Sequence, residues 1–280
     1  MQFWNHKTVV GTLRAVVGKL ADDEIPGRAA QMAFYFFLSL FPTVVIMMAA
    51  ASAFADAQWL LRNALLWRLD SVAPGQSAAF FKPLLDHLAQ RPAVSFFWGP
   101  IALWAASSGM AATIHGLNAA WGIDDRRGWL RARLIGLALT VALLVLTSVA
   151  TLLLAFADPF VRQIAERDGW RSGFVIAWRI GHWPIAIGLA VFAFDLLYHF
   201  GPNRAKPKWR WLSAGALLAL VLWLLASIGL NFYVTSVRSY SSAYGPIGTV
   251  IVLMLWLYLT SIAVLAGAEV NARLERTQFE

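Results

Sequence analysis

Residues 239–268 read SYSSAYGPIGTVIVLMLWLYLTSIAVLAGA and contain no Asp, Glu, Lys or Arg. A helix needs about 20 mostly apolar residues to cross a membrane, because hydrocarbon offers no water to its backbone polar groups. A second apolar run, from Trp178 to Phe200, is interrupted only by Arg179 and Asp195 near its ends. The other charge-free runs of this kind cover residues 29–55, 92–123, 134–157 and 211–237.

The composition agrees with a lipid environment. Hydrophobic residues make up 59% of the 280 residues, and charged residues 14%, where a soluble domain carries roughly 25%. The mean hydropathy is +0.62. We therefore predict an all-α polytopic membrane protein, a single domain over residues 29–268 formed by a bundle of six transmembrane helices. The spans are predicted near 29–55, 95–120, 134–157, 177–200, 211–236 and 245–268.

The segments outside the spans are predicted from their own patterns. Apolar residues recur at helical spacing in residues 1–28 beside scattered Lys and Arg, which predicts an amphipathic helix on the membrane surface, with ordinary packing as the alternative. Two apolar stretches in residues 56–91, separated by Pro74 and Gly75, predict two short interfacial helices in the first outer loop. Residues 269–280 are predicted to form a tail.

The basic residues predict the orientation of the chain. The second and fourth loops are short and rich in Lys and Arg, whereas the first and third are longer and mixed in sign. The positive-inside rule therefore places both termini on the cytoplasmic side of the membrane. This placement accounts for much of the net charge of +8 without a nucleic-acid partner. Membrane lipids are the expected partners, with anionic headgroups at Arg126, Arg127, Arg204, Lys206 and Lys208.

Polar residues within the spans are the candidates for a functional path. They form stripes at helical spacing in the first, second, third and fifth spans, and such stripes serve either helix packing or a polar pathway. In the first span the stripe consists of Gln31, Tyr35, Ser39 and Pro42; in the fifth it passes through Asn231. Tyr244, Gly245 and Gly248 favour a broken or flexible start of the last helix, a feature that often builds substrate sites in transporters.

Three further polar residues lie near the predicted cytoplasmic ends of spans. Asp195 can meet His199 one turn later, either as an interfacial pair or as part of a transport pathway. Glu269 could bind an Arg of an inner loop or form part of a gate, and Asn271 follows it. No cofactor, metal site or catalytic residue is predicted: there is no Cys, the five His fall in separate segments, and no phosphate-binding Gly-Lys-Ser/Thr loop occurs.

Several motifs together resemble the YihY / virulence-factor BrkB family. They cover nearly the whole chain: RAA at 28–30, AFY at 33–35, SLFP at 39–42, GPN at 201–203, YGPIG at 244–248, WLY at 256–258 and GAEVNA at 267–272. Pro246 departs mildly from the pattern, since a small residue is common there. The resemblance implies a six-helix bacterial inner-membrane protein.

The resemblance leaves the activity open. The older family label, ribonuclease BN, is widely regarded as a misassignment, and members have been linked to envelope and lipid-related transport. We expect a transporter or flippase of a lipid, lipid precursor or other amphiphile, and not an enzyme. The alternatives are a membrane scaffold for envelope proteins and, with least support, a tRNA-processing nuclease, because the acidic residues are scattered.

Overall fold

A computed structural model describes residues 24–51, 92–168, 172–204, 212–236 and 239–276, together with residues 18, 62, 63, 66, 82, 83 and 86. The described ranges form six helices and contain no strand. The helices are α1 (Glu24–Ala51), α2 (Pro92–Trp121), α3 (Trp129–Asp168), α4 (Ser172–Phe200), α5 (Ala214–Ser236) and α6 (Ser239–Arg276). The predicted all-α fold is confirmed.

Five of these helices are long and apolar enough to cross a membrane, by length and composition. The qualifying segments are Ile25–Ile46, Trp129–Leu154, Ile180–Phe200, Ala214–Ser236 and Gly248–Arg276. Helix α2 is not among them, and its sequence is rich in Ala, Gly and Ser. This helix packs against α1, α3 and α6. Small residues suit such a position, because they let neighbouring helices approach closely. The chain is a multi-pass membrane protein.

The order of packing follows the chain. Each helix from α3 to α6 packs on the one before it, and α6 closes back onto α2. Helix α1 packs on both α2 and α6. All six helices contribute to one cluster of buried apolar residues, which includes Met32, Leu117, Leu139, Tyr198, Ala219 and Leu265.

The predicted break at the start of the last helix is wrong. Helix α6 begins at Ser239 and runs without interruption through Tyr244, Gly245 and Pro246. A proline removes one backbone hydrogen bond, whereas a break would leave several polar groups to satisfy in hydrocarbon. The side chain of Tyr244 and the burial of Gly245 lie outside the described part, and Gly248 is buried.

The other helix ends also differ from the prediction. Helix α1 begins at Glu24, inside the segment predicted as a surface helix, and most of that segment lies outside the described residues. Helix α6 continues past 268 to Arg276, so most of the predicted tail is helical. Most of the first outer loop is also outside the described residues, but there Arg62 Nε donates a hydrogen bond to Asp86 at 2.6 Å.

Candidate functional site

The polar groups of the described residues concentrate where α2, α4 and α6 end and α5 begins. We call this region the basic end, because it carries Arg127, Arg204, Arg273 and Arg276. Its side chains connect segments that are far apart in the sequence.

Asp195 joins α4 to the start of α5. Its carboxylate is 4% exposed and accepts hydrogen bonds from the hydroxyl and the backbone N–H of Ser213. Ser213 is the N-cap of α5, since its Oγ also accepts from the Ala216 N–H at 3.1 Å. A carboxylate at this position is stabilised by the positive end of the α5 dipole.

Asn271 connects the same turn to α6. Its Nδ2 donates to Ser213 Oγ at 2.9 Å, and its Oδ1 accepts from the Gly215 N–H at 2.9 Å. The Ser213 hydroxyl therefore donates once and accepts twice, which uses its full hydrogen-bonding capacity. Two of the first backbone N–H groups of α5, which have no partner within a helix, are satisfied in this way.

Glycines allow α5 and α6 to approach closely beside these contacts. A Cβ on Gly215 would overlap the backbone oxygen of Gly267, and a Cβ on Gly267 would overlap that of Gly215. The Tyr198 hydroxyl donates to the Val264 carbonyl at 2.8 Å and lies against the same crossing. Small residues at such contacts let helix backbones meet, as in other membrane helix pairs.

Arg204 ties three helix ends together. Its guanidinium pairs with Glu275 of α6, donates to the carbonyl of Tyr198 at 2.8 Å, and lies 5.2 Å from the centre of the Trp121 ring. Trp121 Nε1 donates to the same Glu275 carboxylate at 2.9 Å. The Arg204 side chain is only 10% exposed, so this cation serves the interior of the basic end.

The loop between α2 and α3 is fixed to the end of α4 by a second cluster. Arg127 is bidentate to Asp125 at 2.8 Å and donates to the Gly201 carbonyl at 2.9 Å. Asn118 donates to Asp125 and accepts from the Asn203 N–H at 2.8 Å. The hydrogen bonds from the Arg127 side chain hold the pKa of the Asp125 carboxyl below its usual value.

Gly122 ends α2 in the left-handed conformation, with φ of +66°. The N–H groups of Gly122 and Ile123 bond to the carbonyls of Ala119 and Asn118, which is the glycine-dependent Schellman cap. Arg276 of α6 donates to the Trp121 carbonyl at 2.8 Å and adds to this cap. The last turn of α2 is thereby fixed to the end of α6.

The basic end has little free space. A cavity of about 20 Å³ lies among Asp195, His199, Arg204 and Glu275, which is room for about one water molecule. Glu269 is 1% exposed, pairs with Arg273 at 2.9 Å, and borders a second cavity of the same size. Neither cavity is large enough for an organic substrate.

A much larger cavity lies among α3, α4 and α5. We call it the groove; its volume is about 480 Å³, within the range typical of ligand sites. Most of its lining is apolar, with indole rings from Trp183 and Trp223. Thr147, Ser227 and Asn231 contribute polar groups, and Ser227 Oγ accepts from Trp256 Nε1 at 2.9 Å.

The predicted candidates fall into separate places. Asp195 and Asn271 meet through Ser213, and Asn231 lines the groove. In the first-span stripe Ser39 accepts from the Gly109 N–H of α2 at 3.1 Å, so it serves helix packing. Gln31 is exposed, and Tyr35 and Pro42 are half-buried.

The basic residues predicted to bind lipid headgroups also lie in different surroundings. Arg127 and Arg204 are engaged inside the protein, because each pairs with a carboxylate and a backbone carbonyl there. Arg126 is exposed and stays a predicted headgroup ligand. Lys206 and Lys208 lie outside the described residues.

Sequence reasoning missed Ser213, Tyr198 and Glu275. Ser213 carried a usable signal, because a serine just before an apolar run is a typical N-cap. The partners of Tyr198 and Glu275 lie 66 and 71 residues away, and no local pattern connects them.

Comparisons with known proteins agree with this architecture. A family model described as virulence factor BrkB matches residues 16–280. YfkH of Bacillus subtilis strain 168, named as a ribonuclease-like protein, is 30% identical over 94% of this chain and 95% of its own. No solved structure matches the chain.

Other relatives are named as UPF0761 membrane proteins. The one from Vibrio parahaemolyticus is 26% identical over 95% of this chain and 82% of its own length. The one from Ralstonia nicotianae is 25% identical over 97% of this chain, which spans only 60% of that relative. Because the family model covers nearly all of the sequence, this chain belongs to the virulence factor BrkB family.

Proposed function

We propose that this protein transports a lipid, a lipid precursor or another amphiphile across a bacterial inner membrane during envelope biogenesis. The groove is the observation that carries the proposal. It is far larger than the two cavities at the basic end, and it is formed by three helices apolar enough to lie in hydrocarbon.

The polar groups of the groove support this function. Thr147 of α3 lies on one wall, and Ser227 and Asn231 of α5 lie on another, so two of the predicted polar stripes meet at one cavity. Thr147 and Asn231 are exposed and are not buried between helices. A mostly apolar surface with a few hydrogen-bonding groups suits an amphiphile.

The basic end supports it as well. The contacts of Asp195, Ser213 and Asn271 hold α4, α5 and α6 together at one end of the helices that form the groove. We propose that α4 and α5 separate and approach along their remaining length while this end stays fixed. We further propose that both termini are cytoplasmic and that Arg126, Lys206 and Lys208 contact anionic headgroups.

The described residues favour transport over RNA cleavage. Phosphodiester hydrolysis commonly relies on clustered acids or histidines that hold metal ions. Within the described ranges, no three His, Asp or Glu side chains come together in such a cluster. The ribonuclease-like name belongs to YfkH.

A reconstitution experiment tests the proposal. The full chain is inserted into sealed vesicles that contain a panel of fluorescent lipids, and lipid translocation is compared with that in protein-free vesicles. We expect translocation above the protein-free rate, and a loss when Ala186→Phe narrows the groove. The control is Val221→Phe on the exposed face of α5, outside the groove lining.

The opposite results are equally clear. Translocation equal to that of empty vesicles across the whole panel would contradict the proposal. Purified protein that cleaves RNA, with cleavage abolished by a point mutation in this chain, would support the nuclease alternative instead.

A further inference from the structure

The lining of the groove specifies which part of an amphiphile it can hold. None of the described residues that line it is Asp, Glu, Lys, Arg or His. A charge placed in an uncharged site at membrane depth is costly even on insertion scales. The groove therefore disfavours a charged headgroup and accepts hydrocarbon.

The polar groups of the groove do not change this conclusion. The Ser227 hydroxyl already accepts a hydrogen bond from Trp256, and Thr147 and Asn231 offer only neutral donors and acceptors. Such groups can bind an ester or a hydroxyl near the top of a lipid chain. They cannot neutralise a phosphate.

The length of the groove matches that of one hydrocarbon chain of a lipid. Its lining extends along α4 from Trp183 to Phe194 and along α5 from Leu220 to Asn231. Eleven residues of helix rise about 17 Å at 1.5 Å per residue. The hydrocarbon core is about 30 Å thick, so the groove is close to the length of one lipid chain in one leaflet.

We infer that the groove binds one hydrocarbon chain of a membrane lipid and leaves the charged headgroup outside, at the membrane surface. This inference deepens the proposed function, on which it rests, by naming the part of the substrate that the protein holds. The occupant is a chain of a bilayer lipid, which reaches the groove sideways from the hydrocarbon.

Tryptophan fluorescence provides the test, since Trp183 and Trp223 line the groove. The full chain is purified in detergent micelles, to which phosphatidylcholine with brominated chains is added in increasing mole fraction. The bromine atoms quench indole fluorescence on contact. We expect a component of quenching that saturates at a low brominated fraction. Trp183→Phe and Trp223→Phe should each reduce this component, whereas Trp129→Phe, at an exposed site outside the groove, should leave it unchanged.

A second pair of variants separates a bound chain from surrounding lipid. Ala190→Phe fills the groove and should abolish the saturating component, while Val145→Phe, on an exposed part of α3 outside the lining, should preserve it. Quenching that rises only in proportion to the brominated fraction, in wild type and in Ala190→Phe alike, would overturn the inference.

The two proposals fail in different ways. Saturating quenching without lipid translocation would leave the chain-binding groove in place and contradict the transport function. Translocation with purely proportional quenching would support transport and contradict the bound chain.

Discussion

Gly215 of α5 and Gly267 of α6 meet backbone to backbone at the basic end, where neither position has room for a Cβ. This contact lies beside the hydrogen bonds of Asn271 to the first turn of α5, so close approach and polar capping occur at one crossing.

We predict that Gly267→Ala destabilises the protein by about 3 kcal/mol, because the added methyl group would overlap the Gly215 carbonyl and the Tyr198 hydroxyl. The measurement is the free energy of unfolding in detergent. Gly229→Ala is the matched control on α5, since nothing lies within 4 Å of its Cβ position, and it should be neutral or slightly stabilising. Equal effects of the two variants would contradict the close crossing.

Asn271→Ala should cost about 2 kcal/mol, because it leaves the buried Gly215 N–H without an acceptor and removes a donor to Ser213. Hydrogen exchange should increase in the first turn of α5. The control is Asn231→Ala on the exposed part of α5, which should change neither the unfolding free energy nor this exchange. Unchanged exchange in Asn271→Ala would show that Asn271 does not cap α5.

Arg204→Lys should lower the thermal unfolding midpoint, although the charge is kept. The expected loss of unfolding free energy is about 2 kcal/mol. An ammonium group cannot reproduce the forked geometry with which the guanidinium reaches Glu275 and the Tyr198 carbonyl at once. Arg126→Lys, at an exposed position in the preceding basic loop, should leave the midpoint unchanged. If lysine restored full stability at 204, the charge alone would account for the contact.

Asp125 should make stability depend on pH in the acidic range. Its pKa is lower in the folded than in the unfolded chain, so its stabilising effect is full above about 3.9 and is lost as the pH falls through the folded value. At neutral pH, Asp125→Asn should cost about 3 kcal/mol, because the Arg127 side chain, 5% exposed, would lose its charged partner.

The measurement is the unfolding midpoint of wild type and Asp125→Asn from pH 7 to pH 3. The gap between the two proteins should stay constant at higher pH and begin to narrow as the pH falls below about 3.9. Asp124→Asn, one residue away and exposed, should show no gap at any pH. A constant gap for Asp125→Asn over the whole range would contradict the ion pair.

The helices could be predicted from the sequence because a helix that lies in hydrocarbon needs a long run without charged residues. The same criterion underestimated the length of α6, which continues through Glu269 and Arg273 to Arg276. A helix does not have to end where charged residues begin. The predicted break at Gly245 and Pro246 was wrong because a local signal for a break was outweighed by the need to satisfy the backbone.

The site could be predicted only in part. Asp195 and Asn271 stood out because polar residues are costly in an apolar run. Their shared partner Ser213 lies 18 and 58 residues away, so only the folded chain reveals the contact. The groove depends on the spacing of three helices, and no sequence periodicity encodes that spacing.

The unbroken course of α6 places its crossing with α5 at Gly267 far from the middle of the helix. From Gly267 the helix extends 28 residues toward Ser239 and 9 residues toward Arg276, about 42 Å and about 14 Å at 1.5 Å per residue. A straight helix that pivots at this glycine moves its far tip about three times as far as its near tip. A shift of 1 Å where Glu275 meets Arg204 would therefore swing the opposite end of α6 by about 3 Å.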